Sequence, residues 1–317
     1  MTLDGKPITI EQLIEGHDRW ECVDLIARLD SSMVKHLFNI LSYERMERKS
    51  LEIMETLKET SNNWHLTMLI VLMRFIGGKH NRRAAERLAR IVTPRTIMLE
   101  RSSLIRLEAL LLGSAGLLDI YAEDDYIRQL REEFEHLAAK YSITPMLPGE
   151  WQLSGFYPNN HPTLRLAQLA ASFHYETLTL HSVVLCRNRK EVHKLFSGKA
   201  SEYWVRNFIP HDHNCMASSR IGAFTSDILG INFIVQMEFA YGKYIESNQL
   251  IEHAIGLLEQ LPSEQNKYTK LWNSCSTITR SAYDSQAIIQ LTREYCEKNR
   301  CEKCPLARIL TTYKLEL

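Results

Sequence analysis

The sequence predicts an all-α protein, an irregular multi-helix array with no substantial sheet. Glycine and proline are scarce, with 13 and 9 residues in a chain of 317, whereas a many-stranded sandwich or barrel needs many turn-forming residues. Apolar residues recur at the spacing i, i+3, i+4, i+7, which is typical of amphipathic helices. The 38 basic residues equal the 38 acidic ones and 45% of the chain is hydrophobic. This composition indicates an ordinary globular protein and disfavours a globally basic nucleic-acid binder.

The first half of the chain divides into helices at recognisable stop signals. Ser61-Asn62-Asn63 interrupts the first long periodic segment, Gly77-Gly78 permits a left-handed helix end, and Thr93-Pro94 disfavours continuation. Ser102 or Ser103 and Asp124 or Asp125 are candidate N-caps. The predicted helices are 32–60, 64–76, 81–92, 104–113 and 125–141.

A proline-rich segment separates this half from the next. Residues 144–162 contain four prolines, two glycines and two asparagines, so we expect a crossover rather than a regular element. The predicted organisation is an N-terminal helical block (1–143), the crossover (144–162) and a C-terminal helical block (163–317), which could equally pack as one domain. Helices are predicted from 163 to 171, near 221–244, from 248 to Pro262, and from an N-cap at Asp284.

No segment is apolar enough to cross a bilayer. The longest apolar run, Met68 to Met73, ends at Arg74, far short of about 18 residues. The N-terminus lacks the basic and apolar regions of a secretory signal. We therefore expect a cytoplasmic protein with no membrane association.

The sharpest local pattern is Cys296-x4-Cys301-x2-Cys304, followed by Pro305. The two-residue spacing lets two thiolates bind one tetrahedral ion, so these three cysteines are candidate ligands for zinc or an iron–sulfur cluster. A fourth ligand is missing; Cys275 or a histidine could supply it. The alternative is that the thiols are reduced and pack a corner between helices.

An arginine-rich helix is the candidate nucleic-acid-binding element. Helix positions one turn apart can contact successive phosphates. The candidate residues are Arg82, Arg83, Arg87, Arg90 and Arg95. The alternative is a solvated face neutralised by acidic neighbours such as 119–135.

No catalytic residue is assigned. The chain lacks the common nucleotide-binding, zinc-protease and serine-hydrolase motifs. Glu44, Glu47 and Glu108 fit helix-surface or capping charges, and the loop His211-Asp212-His213 fits a solvated segment better than a metal site.

Several segments resemble the bacterial domain-of-unknown-function family 2851. They are Tyr43-Glu-Arg-Met-Glu-Arg-Lys49, Phe75-Ile-Gly-Gly-Lys-His-Asn81, residues 107–118, residues 157–169 (YPNNHPTLRLAQL), Phe239-Ala-Tyr-Gly242 and residues 284–290. The resemblance implies that the chain corresponds only to the C-terminal helical part of the family, after an N-terminal region similar to restriction-endonuclease-like nucleases.

Taken together, the sequence favours a non-catalytic helical module that binds a protein partner or nucleic acid. The alternative is a nucleic-acid-processing enzyme. It would be nuclease-associated or a degenerate relative of the endonuclease III-like glycosylases, whose iron–sulfur loop also has a Cys-x2-Cys pair. Enzymatic activity is left open, with the balance against it.

Overall fold

The computed structural model describes residues 19–175, 178–274 and 276–312, and these residues confirm the all-α prediction. They form helices with no strand, and their β pairing is limited to isolated bridges at Ile209–Asp212 and Pro262–Ser281. The helices, numbered in chain order, are α1 (Arg19–Arg28), α2 (Ser31–Glu59), α3 (Trp64–Ile91), α4 (Pro94–Glu100), α5 (Leu104–Ser114), α6 (Asp125–Tyr141), α7 (Pro162–His174), α8 (Leu180–Val184), α9 (Arg189–Leu195), α10 (Trp204–Asn207), α11 (Ala223–Leu229), α12 (Val235–Tyr244), α13 (Asn248–Gln260), α14 (Lys267–Trp272), α15 (Ala282–Gln290) and α16 (Pro305–Thr312).

Two π-helical segments extend these helices. Gly230–Ile234 joins α11 to α12 without a break, and Leu291–Cys296 continues α15. A π-helical turn inserts an extra residue and changes the direction of the following side chains, and such turns are frequent at functional sites.

The predicted stop signals act where expected. Gly78 interrupts α3 with φ 59° and ψ −153°. The two halves of α3 therefore correspond to the two helices predicted on either side of Gly77-Gly78. Asn63, Ser103 and Asp124 accept hydrogen bonds from the backbone as N-caps. The N-cap of α15 is Ser281 rather than Asp284, which occupies the third helical position of a capping box.

The chain forms two compact units. The terminal unit comprises Met1–Leu51 and Ile251–Leu317, and the central unit comprises Glu52–Leu250. The proline-rich segment 144–162, where the sequence places a crossover, lies inside the central unit.

The core of the terminal unit is apolar and continuous. Leu37 and Leu41 of α2 pack in one cluster with Trp272, Ile288 and Leu291. Within this unit, Trp272 Nε1 donates to Thr292 Oγ1 at 2.8 Å and Ser42 Oγ donates to the carbonyl oxygen of Tyr283 at 2.7 Å. Both polar groups are therefore satisfied inside the core.

In the central unit, α5 packs against both α6 and α7. α5 and α6 approach so closely at Gly113 that a Cβ there would lie 2.2 Å from Phe134 Cγ. α7 is buried on every side from Pro162 to Phe173. A polar side chain on α7 thus has no solvated face to occupy.

No helix in the described part of the chain is both long and apolar enough to cross a membrane. A cytoplasmic location stays a prediction.

Candidate anion-binding site

The five predicted nucleic-acid-binding arginines are all exposed, on the second half of α3 and on α4. Three of them form ion pairs: Arg82 with Glu86 at 3.1 Å, Arg90 with Glu59 at 2.7 Å, and Arg87 with Glu150. The neutralising carboxylates are therefore Glu59, Glu86 and Glu150, and not the 119–135 segment that the sequence suggested.

Arg83 and Arg95 make no ion pair with the described residues. Their role in binding stays a prediction, because exposed arginines are common whether or not a ligand binds.

The predicted metal ligands lie together in the terminal unit. Cys296 ends the π-helical segment, Cys301 begins a short 3₁₀ turn (Cys301–Lys303), and Cys304 directly precedes α16. Cys22 of α1 lines the same cavity; Cys275, the fourth ligand considered from sequence, lies outside the described residues. Within the ranges that the structure describes, no three His, Cys, Asp or Glu side chains converge tightly enough to hold a single metal ion.

The expectation for Glu108 was wrong. It is fully buried and its carboxylate accepts hydrogen bonds from Trp204 Nε1 at 2.8 Å, the Ser201 amide at 3.0 Å and the Tyr126 hydroxyl at 2.5 Å. Burial raises its pKa, although these hydrogen bonds oppose the rise. Glu108 is an internal acceptor, and the helical periodicity did not reveal its partners because they follow it by 18 to 96 residues.

A residue that sequence reasoning passed over, Arg165, forms the most unusual polar site. It is 6% exposed and lies in the first turns of the fully buried helix α7. Its Nη1 donates to Gln168 Oε1 at 3.0 Å, and its Nη2 donates to Asn160 Oδ1 at 2.7 Å and Thr225 Oγ1 at 3.1 Å. All three acceptors are uncharged.

No described carboxylate neutralises Arg165. Burial alone lowers its pKa, to about 10, so the guanidinium is still positively charged at neutral pH. A buried charge is costly unless a group of opposite charge compensates it. The uncharged acceptors satisfy part of its hydrogen-bonding capacity and leave its charge uncompensated.

The position of Arg165 on its helix adds a second unfavourable interaction. Side chains on a helix tilt towards its N-terminus, and the contact with Asn160, which precedes α7, shows that the guanidinium lies at that end. Helix N-termini carry partial positive charge and favour anions. The N-cap residue His161 makes no side-chain capping hydrogen bond.

His161 is itself buried beside this helix end. It is 3% exposed and neither ring nitrogen has a partner in hydrogen-bonding geometry. Burial lowers its pKa to about 4, and the backbone of Leu153 offsets part of that effect. His161 is therefore neutral at pH 7 and does not add a second positive charge to the site.

The loop that contains Ser218 and Arg220 is hydrogen-bonded to residues on either side of Arg165 in the sequence. Gln168 Nε2 donates to the carbonyl oxygens of Ser218 at 2.8 Å and Arg220 at 3.2 Å, and the Ser218 amide donates to Asn159 Oδ1 at 2.9 Å. These hydrogen bonds fix the loop beside α7 and hold Gln168 in position to accept from Arg165.

Exposed aromatic and basic side chains lie close in sequence to the residues that contact Arg165. Tyr157, 83% exposed, is three residues before Asn160, and Phe224, 67% exposed, directly precedes Thr225. Arg220 is also exposed. Single exposed apolar side chains are common on protein surfaces, so Tyr157 and Phe224 gain significance only from their position near the contacts of Arg165.

Arg187 and Arg189, also in the central unit, have carboxylate partners. Arg189 contacts Asp227 through two hydrogen bonds of 2.8 Å, and Arg187 contacts Glu238 at 2.6 Å. Burial raises the pKa of Asp227, but the hydrogen bonds from Arg189 and His193 outweigh it and the net pKa is lowered. Arg165 lacks a partner of this kind among the described residues.

The fold thus defines an irregular all-α protein with a buried, uncompensated cation. The chain belongs to a family described as "Protein of unknown function (DUF2851)", whose model matches residues 7–267. The match covers most of the chain and includes Cys22 and the YPNNHPTLRLAQL segment, whereas residues 284–290 and the three C-terminal cysteines lie beyond it. No curated protein and no solved structure matches the chain.

Proposed function

We propose that this protein is a non-catalytic module that binds nucleic acid, with one backbone phosphate held at Arg165. The observation that carries the proposal is the burial of this arginine among uncharged acceptors at the N-terminus of α7. A phosphate would compensate its charge, and a helix N-terminus is a favourable position for an anion.

Arginine suits this role because its planar guanidinium binds two phosphate oxygens at once. Asn160 and Thr225, which now accept from Nη2, carry an amide NH₂ and a hydroxyl that could also donate to the same anion. Gln168 would hold the other side of the guanidinium.

Nucleic acid is favoured over a small anion by the exposed groups near Arg165. Tyr157 and Phe224 offer aromatic faces on which unpaired bases can stack. The segment that leads to Tyr157 also contacts the start of the arginine-rich half of α3: Asn81 Nδ2 donates to the carbonyl oxygen of Gln152 at 2.9 Å, and the Gln152 amide donates to Asn81 Oδ1 at 2.7 Å. Arg82 and Arg83 follow Asn81 directly.

A protein partner or a nucleic-acid-processing activity stays a prediction without a specific observation of its own. The family match extends over residues 7–267, most of the chain, and is not limited to a C-terminal part.

Fluorescence anisotropy with a labelled single-stranded oligonucleotide tests the proposal. Wild-type protein should bind with an affinity that falls as salt increases, and Arg165→Met should weaken binding at least about 10-fold, because a charge-assisted hydrogen bond contributes roughly 1.5–3 kcal/mol.

Arg206→Met is the matched control, since it removes one exposed arginine of the same unit. It should reduce affinity by less than about 3-fold. Equal binding by Arg165→Met and wild type would contradict the proposal, as would the absence of wild-type binding at low salt.

A further inference from the structure

Four cysteines from distant parts of the sequence line one cavity in the terminal unit. Cys22 comes from α1, Cys296 from the π-helical segment, Cys301 from the 3₁₀ turn and Cys304 from the residue before α16. Cys22 and Cys296 are separated by more than 270 residues. Spacing along the sequence could identify the last three as a group, but only the fold adds Cys22.

The cavity is otherwise apolar. Its walls include Trp272, Leu291, Leu306 and Leu310, and the indole nitrogen of Trp272 is directed to Thr292. The space not occupied by atoms, open mouth included, is about 360 Å³. Low-dielectric surroundings of this kind are typical of buried metal–thiolate sites, where they exclude solvent.

The local backbone positions two of the thiols in ways that suit metal ligation. The π-helical segment Leu291–Cys296 changes the helical register at Cys296, which turns this residue relative to an uninterrupted α15. Cys304 precedes the first turn of α16. The backbone N–H groups of Leu306 and Ala307 are directed to its sulfur. Amide groups that donate to sulfur stabilise a thiolate once a metal replaces its proton.

We propose that Cys22, Cys296, Cys301 and Cys304 bind a cubane iron–sulfur cluster of four iron and four sulfide ions. Each cysteine would ligate one iron, and the cluster would link α1 to the C-terminal turn and α16.

A cluster fits this arrangement better than a single zinc ion. A structural zinc site requires four ligands about 2.0–2.3 Å from one point, and no three ligands of the described chain converge in that way. A cubane instead takes its four cysteines at separate corners, so the sulfur atoms can lie further apart around a central space.

Anaerobic purification followed by iron and acid-labile sulfide assays tests the proposal directly. Wild-type protein should contain about four of each per chain and show the broad visible absorbance of sulfide-to-iron charge transfer. Cys22→Ser should lose most of the iron, whereas Cys215→Ser, which removes a thiol of the central unit, should retain the wild-type content.

A second measurement avoids dependence on a variant that fails to fold. Native wild-type protein is treated with a thiol-alkylating reagent before and after iron chelation, and the modified cysteines are identified by mass spectrometry. The four cavity cysteines should be protected until chelation, while Cys215 reacts throughout. Protein without iron, one zinc per chain, full iron in Cys22→Ser, or cavity thiols that react equally before and after chelation would each overturn the proposal.

Discussion

Arg165 and the arginine-rich half of α3 present the same side chain in opposite settings. Arg82, Arg87 and Arg90 have side chains that are 54%, 57% and 43% exposed and contact carboxylates. Arg165 is 6% exposed and contacts only neutral acceptors. The exposed arginines are hydrated and contact carboxylates, so we expect them to gain little from a ligand. A bound anion would instead compensate the charge that the fold leaves unbalanced at Arg165.

We infer that a high density of basic residues does not by itself locate an anion site. The free energy available to a ligand depends on how poorly the protein itself satisfies each charge. One buried arginine without a carboxylate partner is therefore a stronger indication of an anion site than five exposed arginines close together in the sequence.

The largest expected effect separates Arg165 from a carboxylate-paired arginine. Arg189→Met should lower the free energy of unfolding by about 1–3 kcal/mol because it removes two hydrogen bonds from the buried Asp227. Arg165→Met should change it by less than about 1 kcal/mol, because relief of the buried charge offsets the hydrogen bonds lost at Gln168, Asn160 and Thr225. Urea denaturation in the absence of ligand measures both values.

If Arg165→Met destabilises the protein as much as Arg189→Met, the comparison fails. Arg165 would then be a structural residue whose neutral partners satisfy it fully.

An intermediate effect concerns His161 and pH. Its folded pKa of about 4 lies below the ordinary value of about 6.5, so between these values the unfolded chain binds more protons than the folded one. The contribution of His161 to stability is therefore fully present above about pH 6.5 and is lost as the pH falls towards 4, by on the order of 3 kcal/mol. Denaturation midpoints across this range should show a smaller decrease in His161→Phe, which keeps the ring packing against Phe208.

An identical pH dependence in His161→Phe would show that other groups cause the acid destabilisation. The neutral state assigned to the helix end beside Arg165 would then lose its support.

The smallest effects are expected at the exposed arginines. Replacing Arg83 and Arg95 together by alanine should lower oligonucleotide affinity less than about 10-fold and reduce the salt dependence by at most about one released counterion per residue. Arg82→Ala should also have a small effect because Glu86, which it shares with Arg74, compensates part of its charge. A loss in the double variant larger than that of Arg165→Met would reverse the comparison and restore α3 as the main binding surface.

Most of the fold could be predicted from the sequence because its signals are local. Asn63, Gly78, Ser103 and Asp124 end or begin helices through contacts within a few residues, and the apolar spacing identifies the buried faces. The division of the chain into two units was harder to predict from the sequence, since the terminal unit combines segments that lie far apart in the sequence. A proline-rich stretch indicates irregular backbone but does not reveal which segments pack together.

The sites depend on long-range contacts and were predicted only in part. The spacing of Cys296, Cys301 and Cys304 identified a cysteine group, but nothing near Cys22 in the sequence connects it to them. The sequence contained a weak indication of Arg165. It is a charged residue within a largely apolar segment, and the helix formed by that segment has no solvated face. The acceptors of Arg165 are the uncharged side chains of Asn160, Gln168 and Thr225, and no carboxylate is among them. Only the three-dimensional structure shows this, because Thr225 is far from Arg165 in the sequence.

The composition of the terminal unit has a consequence for biogenesis. Residues 22–51 leave the ribosome some 200 residues before the segments 251–310 with which they form a core. Non-local contacts of this kind form slowly because the chain between them must first be closed into a loop. The central unit is complete earlier, so α1 exposes its apolar side chains to chaperones throughout synthesis, and an inserted cofactor could join the two ends only as a late step of maturation.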